Sequence, residues 1–555
     1  MAHTSQTEIE RKYAVEGDRA LPSLEGVGQT AGVAQVTTLE PFTLEAVYFD
    51  TAELALARAR IALRRREGGH DAGWHVKLPA AEGRTELQWP LGSGDPSEVP
   101  EEVADTVRVH VRDHGLTPLA RIVTTRHVTE LRDAEGGLVA EIADDTVQAT
   151  DARQGTARVW HEWEAELGPA GPATAAERTT LLDEIERHLL AAGATVSPSV
   201  SKLAQALGRT GLGSDEPAPS SPSVTAKPTA ADVVRAGVAE LVQRLVELDP
   251  AVRRDDEDAV HRFRTTVRRL RNVLAIHRGL FDDAVVAGLR DRLSRLGAVL
   301  GEVRDLEVRA DWAAHELDAF ARERGIDDPD AVRRLVEDTR AEHAEAHQRL
   351  VRVLGQGPYF RLLEDLEEFA GVGAGAGASG ADAPEDGKTA PTSPKKDAKK
   401  AVKRTGRRAL TRAARIREAL PVLSDGTGDR DADTDADADG PELVAEAEAI
   451  GALHDSRKAA RRLRHAAEFS TDGPAAVLGS SVATVGESAE DLQDALGRHR
   501  DASLFAEFVL LTSRRAEAAG EGSFTYGVLY QRSLDQARQA LDAADAARKA
   551  LRRLL

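Results

Sequence analysis

The chain has 555 residues, a formal net charge of -20, 30% charged residues and no cysteine. Its length predicts several domain-sized units, and the missing cysteines exclude disulfides and thiolate metal sites. The first 30 residues hold no apolar signal-peptide core, and no run of 18 apolar residues occurs anywhere. We therefore expect a cytoplasmic protein that neither spans nor binds a membrane.

Residues 1–208 predict an antiparallel sheet. Alternation in Glu8-Ile-Glu-Arg-Lys-Tyr13 places Glu8, Glu10 and Lys12 on one face of a strand. Many antiparallel strands with few helices favour a closed barrel. The predicted strands cover residues 8–13, 43–49, 59–66, 73–78, 84–91, 120–131, 138–143, 146–149 and 157–167, and the predicted helices cover 98–114, 174–192 and 201–207.

Charged side chains share faces in this predicted sheet. The sets are Arg64 with Arg66, His75 with Lys77, Arg84 with Glu86, Glu141 with Asp145, and Glu162 with Glu164 and Glu166, while Arg126 lies in mid-strand. Inside a barrel, the carboxylates would bind a hard divalent cation and the basic groups would bind phosphate oxygens. The alternative is the solvent-exposed face of an antiparallel sheet, because such faces also alternate.

Two stretches carry a family resemblance. Glu8-Ile-Glu-Arg-Lys12 resembles the Glu-x-Glu-x-Lys signature of the CYTH family, the triphosphate tunnel metalloenzymes. Glu162-Trp-Glu-Ala-Glu166 resembles that family's late Glu-x-Glu-x-Glu strand. Between the two motifs, the segments occur in the family's order: Leu63–Arg66, Val76–Pro79 and Arg84–Glu86. Over residues 4–208, the resemblance implies an eight-stranded barrel that hydrolyses or cyclises triphosphates with Mg²⁺ or Mn²⁺.

The resemblance also assigns residues. The catalytic set would be Glu8, Glu10 and Lys12. The metal ligands would be Glu8, Glu10, Asp145, Glu162 and Glu164, with Asp144 as an alternative to Asp145. The triphosphate-binding residues would be Lys12, Arg64, Arg66, Lys77, Arg84, Glu86, Arg126 and Lys202. Family members include inorganic triphosphatases, thiamine triphosphatases and class IV adenylyl cyclases, and the shared motif does not choose among them.

The rest of the chain predicts a tether followed by helices. Residues 209–229 are rich in Gly, Ser and Pro, which is typical of a flexible linker. Residues 230–555 have helical periodicity in two halves, 230–370 and 398–555. Between them we expect a disordered insertion at 371–397, and within the second half an acidic loop at 424–440.

Each half contains the same basic segment. His261–Arg271 and His454–Arg464 share the pattern His-x-x-Arg-x-x-x-Arg-Arg-Leu-Arg at an offset of 193 residues. A second shared pattern, Leu-Gly-x-x-Arg-Asp, occurs at Leu300–Asp305 and Leu496–Asp501. The spacing places the histidine and arginines on one helical face, and clustered arginine favours phosphate oxygens. A solvated basic surface is the alternative.

These paired segments resemble the CHAD family, the conserved-histidine α-helical domains, over residues 229–555. The resemblance implies two similar four-helix bundles that face each other across a basic groove and bind inorganic polyphosphate. The polyphosphate-binding residues would be His261, Arg264, Arg268, Arg269, Arg271, His454, Arg457, Lys458, Arg461 and Arg464.

We therefore predict an α+β multidomain protein, a metal-dependent triphosphatase barrel joined to a polyphosphate-binding helical domain. Its expected partners are inorganic triphosphate and polyphosphate, and association with polyphosphate granules is a further expectation. The alternatives are a class IV-type adenylyl cyclase and a non-catalytic, granule-associated binding protein. The acidic total charge argues against indiscriminate nucleic-acid binding.

Overall fold

The computed structural model describes residues 4–199, 201–208, 228–372, 392–425 and 440–555. The chain divides into two units, Met1–Ala218 and Pro219–Leu555. Within the described ranges, every helix is too short or too polar to cross a lipid bilayer. Most of the predicted linker at 209–229, insertion at 371–397 and acidic loop at 424–440 lies outside the described residues.

The first unit is built on one antiparallel sheet. Its strands are β1 Thr4–Glu8, β2 Glu10–Val15, β3 Gln35–Thr38, β4 Phe42–Asp50, β5 Ala62–Glu67, β6 Gly73–Pro79, β7 Arg84–Trp89, β8 Thr117–Arg132, β9 Leu138–Asp151, β10 Ala157–Leu167 and β11 Thr195–Val196. Its helices are α1 Ala55–Arg58, α2 Glu101–Val111, α3 Ala175–Ala191 and α4 Lys202–Ala206.

The sheet closes on itself through the N-terminal strand. Neighbouring strands follow the order β1-β7-β6-β5-β4-β8-β9-β10-β2, and only Ile9 separates β1 from β2. Because β1 pairs with β7 and β2 pairs with β10, the two edges of the sheet are joined. With β1 and β2 counted as one bent strand, the predicted eight-stranded barrel is confirmed, and β3 and β11 are short additions.

Apolar packing determines which way the strand side chains point. Tyr13 and Trp163 face outward and pack with Leu181 beneath α3. Helix α2 covers another part of the outer surface with a second apolar cluster. Helix α4, in contrast, packs Leu203 in one cluster with Ile122, which lines the barrel interior. The alternate positions of β2 and β10, which carry the glutamates and Lys12, are therefore directed into the barrel.

The bounds predicted for several strands of this unit were wrong. The strand predicted for 59–66 begins at Ala62, because a short helix precedes it and Arg60 adopts a left-handed φ of 60°. The strands predicted separately for 138–143 and 146–149 are one strand, β9, because Asp144 and Asp145 continue the pairing with β10.

The second unit is helical. Its helices are α5 Ala230–Arg253, α6 Ala259–His277, α7 Asp283–Arg324, α8 Pro329–Val332, α9 Asp338–Leu354, α10 Gly357–Ala370, α11 Pro394–Ala413, α12 Ile416–Asp425, α13 Gly440–Thr471, α14 Ser480–Ala518 and α15 Phe524–Leu554. Helices α5, α6, α7 and α9 form one bundle, and α11, α13, α14 and α15 form the other. The predicted pair of similar four-helix bundles is thus confirmed.

Described helices of this unit extend into both of its predicted interruptions. Helix α11 begins at Pro394 rather than after residue 397, because proline is well suited to the first turn of a helix. At the predicted acidic loop, α12 continues to Asp425 and α13 begins at Gly440.

Candidate functional site

The barrel encloses a cavity of about 580 Å³. Ten of the predicted residues line it: Glu8, Glu10, Lys12, Arg64, Arg66, Lys77, Arg84, Arg126, Glu164 and Lys202. The other three, Glu86, Asp145 and Glu162, are buried and contact cations of this lining. Side chains that are far apart in the sequence are therefore gathered in one space.

One wall of the cavity carries a row of glutamates. Glu10 on β2 lies directly opposite Glu166 on β10, which lies directly opposite Glu141 on β9. Like charges in such positions repel each other. Burial, together with Glu8, Glu10 and Glu141, raises the pKa of Glu166 to about 8. These oxygen ligands fit a hard divalent cation, which would relieve the repulsion.

A second cluster of carboxylates is already neutralised by a lysine and an arginine of the protein. Ligand oxygens of Asp145, Glu162 and Glu164 lie within 4.8 Å of one another, close enough to share a cation. However, the Lys202 ammonium lies 2.9, 2.6 and 2.6 Å from these three side chains. Arg126 also donates to Asp145 at 2.8 and 2.7 Å and to Glu164 at 2.7 Å. In the glutamate row, by comparison, Glu10 pairs with Lys12 at 2.8 Å, while Glu141 and Glu166 form no ion pair within the described residues, so the row is the less neutralised of the two clusters.

The two adjacent aspartates of β9 face opposite sides of the sheet. Asp145 points into the barrel and its side chain is 0% exposed. Asp144 points outward, where its Oδ1 lies 2.5 Å from His161 Nε2. Asp145 is therefore the aspartate that belongs to the cavity network.

The opposite wall is basic. Arg64 and Arg66 on β5 and Lys77 on β6 line it. Burial and the charge of Arg64 lower the pKa of Arg66 to about 9, which reflects crowding of like charges. Glu86 accepts a hydrogen bond from Arg64 at 3.2 Å and lies 3.7 Å from Lys77 Nζ and 3.0 Å from His75 Nδ1. Glu86 therefore positions this wall, while the cations face the cavity.

Glu141 and Glu166 were missed as ligand candidates. The alternation of polar residues in β9 and β10 placed both on an inward face, but neither was assigned to the metal set. The signal that could have found Glu166 is the third glutamate of Glu162-Trp-Glu-Ala-Glu166, which shares its parity with the other two.

The helical unit contains a cleft of about 790 Å³ between its bundles, lined by α6, α7, α13 and α14. Seven predicted residues line it: His261, Arg264, Arg268, Arg269, Arg457, Arg461 and Arg464. The two copies of the basic segment therefore meet at one space. Ten arginines and six carboxylates form its walls, so the lining has an excess of positive charge.

The central arginines of the cleft lack acidic partners. In the part of the chain that the structure describes, Arg268, Arg457 and Arg461 form no ion pair, and the buried Nε atoms of Arg457 and Arg461 have no hydrogen-bond acceptor. Burial and neighbouring arginines lower the pKa of Arg268 to about 10 and that of Arg461 to about 9. An anion would supply the missing partners.

Three predicted residues lie outside the cleft lining. His454 and Lys458 are exposed, and Arg271 donates a hydrogen bond to Ser294 Oγ at 3.1 Å. The sequence pattern gave their helical face correctly, but the neighbouring helices decide which part of that face borders the cleft. The binding role of these three residues stays a prediction.

Four further arginines enter the cleft from α7 and α14. They are Arg304, Arg309, Arg498 and Arg500. The duplicated pattern Leu-Gly-x-x-Arg-Asp contains Arg304 and Arg500, so the repeat itself carried a signal for two of them.

Comparison with known proteins agrees with this architecture. Residues 6–186 match the CYTH domain family and residues 236–510 match the CHAD domain family. Two uncharacterized proteins of Mycobacterium tuberculosis, from strains CDC 1551 and H37Rv, are each 36% identical over 98% of this chain and 96% of their own length.

Two solved structures resemble parts of the chain. The CHAD domain from the plant Ricinus communis is 21% identical over 59% of this chain and 93% of its own, with a TM-score of 0.38. PptA from Streptomyces chartreusis is 17% identical over 57% of this chain and 99% of its own, with a TM-score of 0.39. The chain belongs to the CYTH family through its barrel and to the CHAD family through its helical unit.

Proposed function

We propose that the barrel hydrolyses inorganic triphosphate, or a related short polyphosphate or organic triphosphate, and that the helical cleft binds inorganic polyphosphate. CYTH domains are typically metal-dependent enzymes that either hydrolyse phosphate chains or act as cyclases. The proposal rests on one observation: the cavity has an acidic wall and a basic wall on opposite sides of the barrel. The glutamate row on β9 and β10 stands about halfway around the barrel from the basic β5 and β6.

Each wall has a separate task in this proposal. Bound Mg²⁺ or Mn²⁺ would offset the charge of phosphate oxygens and activate a water molecule. Glu10, Glu166 and Glu141 would hold that cation, while Arg64 and Lys77 would bind phosphate oxygens of the chain. Because Glu86 restrains both cations, they would need little reorganisation when the substrate enters.

The cleft favours a long polyanion over a single anion. Its arginines come from four helices, α6 and α7 of one half and α13 and α14 of the other, and are distributed along both walls. A linear polyphosphate offers regularly repeated charges that match such a distribution. Because both units belong to one chain, polyphosphate held by the cleft would raise the local concentration of phosphate chains near the barrel.

A phosphate-release assay tests the catalytic part of the proposal. The purified chain would be incubated with tripolyphosphate, thiamine triphosphate, ATP or long-chain polyphosphate, each with Mg²⁺, with Mn²⁺ or with EDTA. We expect metal-dependent release of phosphate from tripolyphosphate. Formation of cyclic AMP from ATP without phosphate release would instead identify a cyclase. Polyphosphate binding without turnover of any substrate would identify a non-catalytic protein.

A competition assay tests the binding part. With EDTA present to prevent turnover, we expect the chain to retain labelled polyphosphate, with binding that weakens as salt increases. Unlabelled polyphosphate should compete and RNA should compete poorly. Retention on RNA that polyphosphate fails to displace would contradict the assignment of the cleft.

A further inference from the structure

The two halves of the helical unit touch each other at equivalent positions. Asn272 lies eleven residues after His261, and His465 lies eleven residues after His454, so the two are separated by the repeat offset of 193 residues. Asn272 Nδ2 and His465 Nδ1 are 2.9 Å apart. When equivalent positions of two repeats contact each other, they lie where the approximate twofold axis passes. This pair therefore marks the centre of the helical unit.

The hydrogen bond fixes the state of the imidazole ring. An amide nitrogen can only donate, so His465 Nδ1 accepts from Asn272 and the ring proton is on Nε2. Burial and the nearby arginines, among them Arg269 and Arg464, hold the pKa of His465 well below its ordinary range. The ring is therefore neutral, with a donor at the edge opposite Asn272.

The surroundings of His465 point to a ligand. Its side chain is only 5% exposed, yet it lines the basic cleft together with Arg268 and Arg461. A further cation at this point would repel those arginines, whereas a neutral N–H donor can bind an anion without that cost. The arrangement combines a buried donor with basic groups from both halves.

We propose that His465 is a binding residue of the cleft, whose Nε2–H donates to a phosphate oxygen of the bound chain where the two repeats meet. Asn272 is the positioning residue that keeps the donor directed toward the ligand. The inference rests on the proposed polyphosphate function and adds to it a neutral contact at the centre of an otherwise cationic cleft. It also separates His465 from the exposed His454, which the sequence pattern favoured.

Two substitutions separate binding from packing. In His465→Asn, the side chain can still accept from Asn272 near the Nδ1 position but loses the outer donor. In His465→Gln, a donor returns near the Nε2 position. With polyphosphate of defined length and EDTA, we expect His465→Asn to weaken binding by the full chain about tenfold and His465→Gln to recover most of that loss. His343→Asn, in α9 outside the cleft lining, is the matched control.

A measurement on the unsubstituted protein supports the test if His465→Asn folds poorly. Selective ¹⁵N labelling of histidine should show His465 as the neutral Nε2–H tautomer, and polyphosphate should shift its Nε2 resonance more than its Nδ1 resonance. A folded His465→Asn variant that binds like the wild type, or an Nδ1–H tautomer, would overturn this inference and leave the proposed function standing. Failure of the wild type to bind polyphosphate would overturn both.

Discussion

The barrel cavity and the helical cleft both concentrate basic side chains, but they balance the charge differently. In the cavity, Lys202 lies among three carboxylates and Arg126 contacts two of them. In the cleft, Arg268 and Arg461 form no ion pair within the described residues. A paired site is stable when empty, and in the proposed function a phosphate chain would have to compete with the protein's own carboxylates. An unpaired site costs stability when empty but binds anions readily. In the proposed function, the cavity would therefore favour selectivity and the cleft retention.

The largest expected effect separates the two sites by function. Replacing both Glu10 and Glu166 with glutamine should lower metal-dependent phosphate release at least about a thousandfold, roughly 4 kcal/mol, because it removes two carboxylates of the glutamate row. Polyphosphate retention in EDTA should be unchanged, since the cleft belongs to the other unit.

Glu135→Gln provides the control for this experiment. Glu135 lies in the exposed turn between β8 and β9, outside the cavity lining, so its substitution should preserve both activities. A double variant that loses polyphosphate retention together with phosphate release would contradict the division of labour between barrel and cleft.

The next prediction concerns stability. Arg126→Met removes a partner of Asp145 and Glu164 and leaves two buried carboxylates short of a cation. We expect the free energy of unfolding of the barrel to fall by about 3 kcal/mol, because breaking a buried ion pair leaves uncompensated charge. Chemical denaturation followed by tryptophan fluorescence reports mainly on this unit, which contains four of the five tryptophans, Trp74, Trp89, Trp160 and Trp163. An unchanged unfolding midpoint would show that solvent already screens the pair.

Arg461→Met is the matched substitution in the cleft, and we expect the opposite effect on the free energy of unfolding. Removing Arg461 relieves repulsion with Arg268, so the free energy of unfolding of the ligand-free helical unit should rise by about 1 kcal/mol or stay constant. Polyphosphate binding should weaken about tenfold, because a charged donor is lost. Thermal unfolding followed by circular dichroism, with and without polyphosphate, measures both effects. Clear destabilisation of the ligand-free variant would refute the idea that the cleft is strained when empty.

The barrel shows what strand alternation can and cannot predict. Alternation in the first strand correctly directed Glu8, Glu10 and Lys12 into the cavity, because a strand's side-chain period is fixed by its backbone. The neighbours of Glu166 could not be predicted in the same way. Glu10 and Glu141 lie beside it only through the register of three strands that are distant in sequence. Long-range register depends on packing of the whole sheet, so the glutamate row emerged only with the fold.

The helical unit shows a similar limit. The repeated segments predicted a basic helical face, and the structure places most of that face in the cleft. The exposure of His454 and the burial of His465 depend on where α6 and α13 cross, which periodicity within one helix does not specify. The equivalence of Asn272 and His465 was readable from the repeat offset, but their contact required the packed bundles.

The smallest expected effect is a pH dependence that belongs to the cavity. Burial and neighbouring carboxylates raise the pKa of Glu166 from its ordinary 4.5 to about 8. A proton bound by the folded state therefore stabilises it, and this stabilisation is lost as pH rises through the folded-state pKa. Without metal, the free energy of unfolding should fall by about 1 kcal/mol between about pH 7 and about pH 8 in the wild type, and Glu166→Gln should abolish that fall.

Histidines with lowered pKa values, such as His75 at about 4, titrate below this window. Mg²⁺ or Mn²⁺ should flatten the slope, because the ionised carboxylate is the form that binds the cation and the bound cation displaces the proton. Equal slopes for wild type and Glu166→Gln in EDTA would show that Glu166 is already ionised in the empty cavity and that the glutamate row is not a strained cation site.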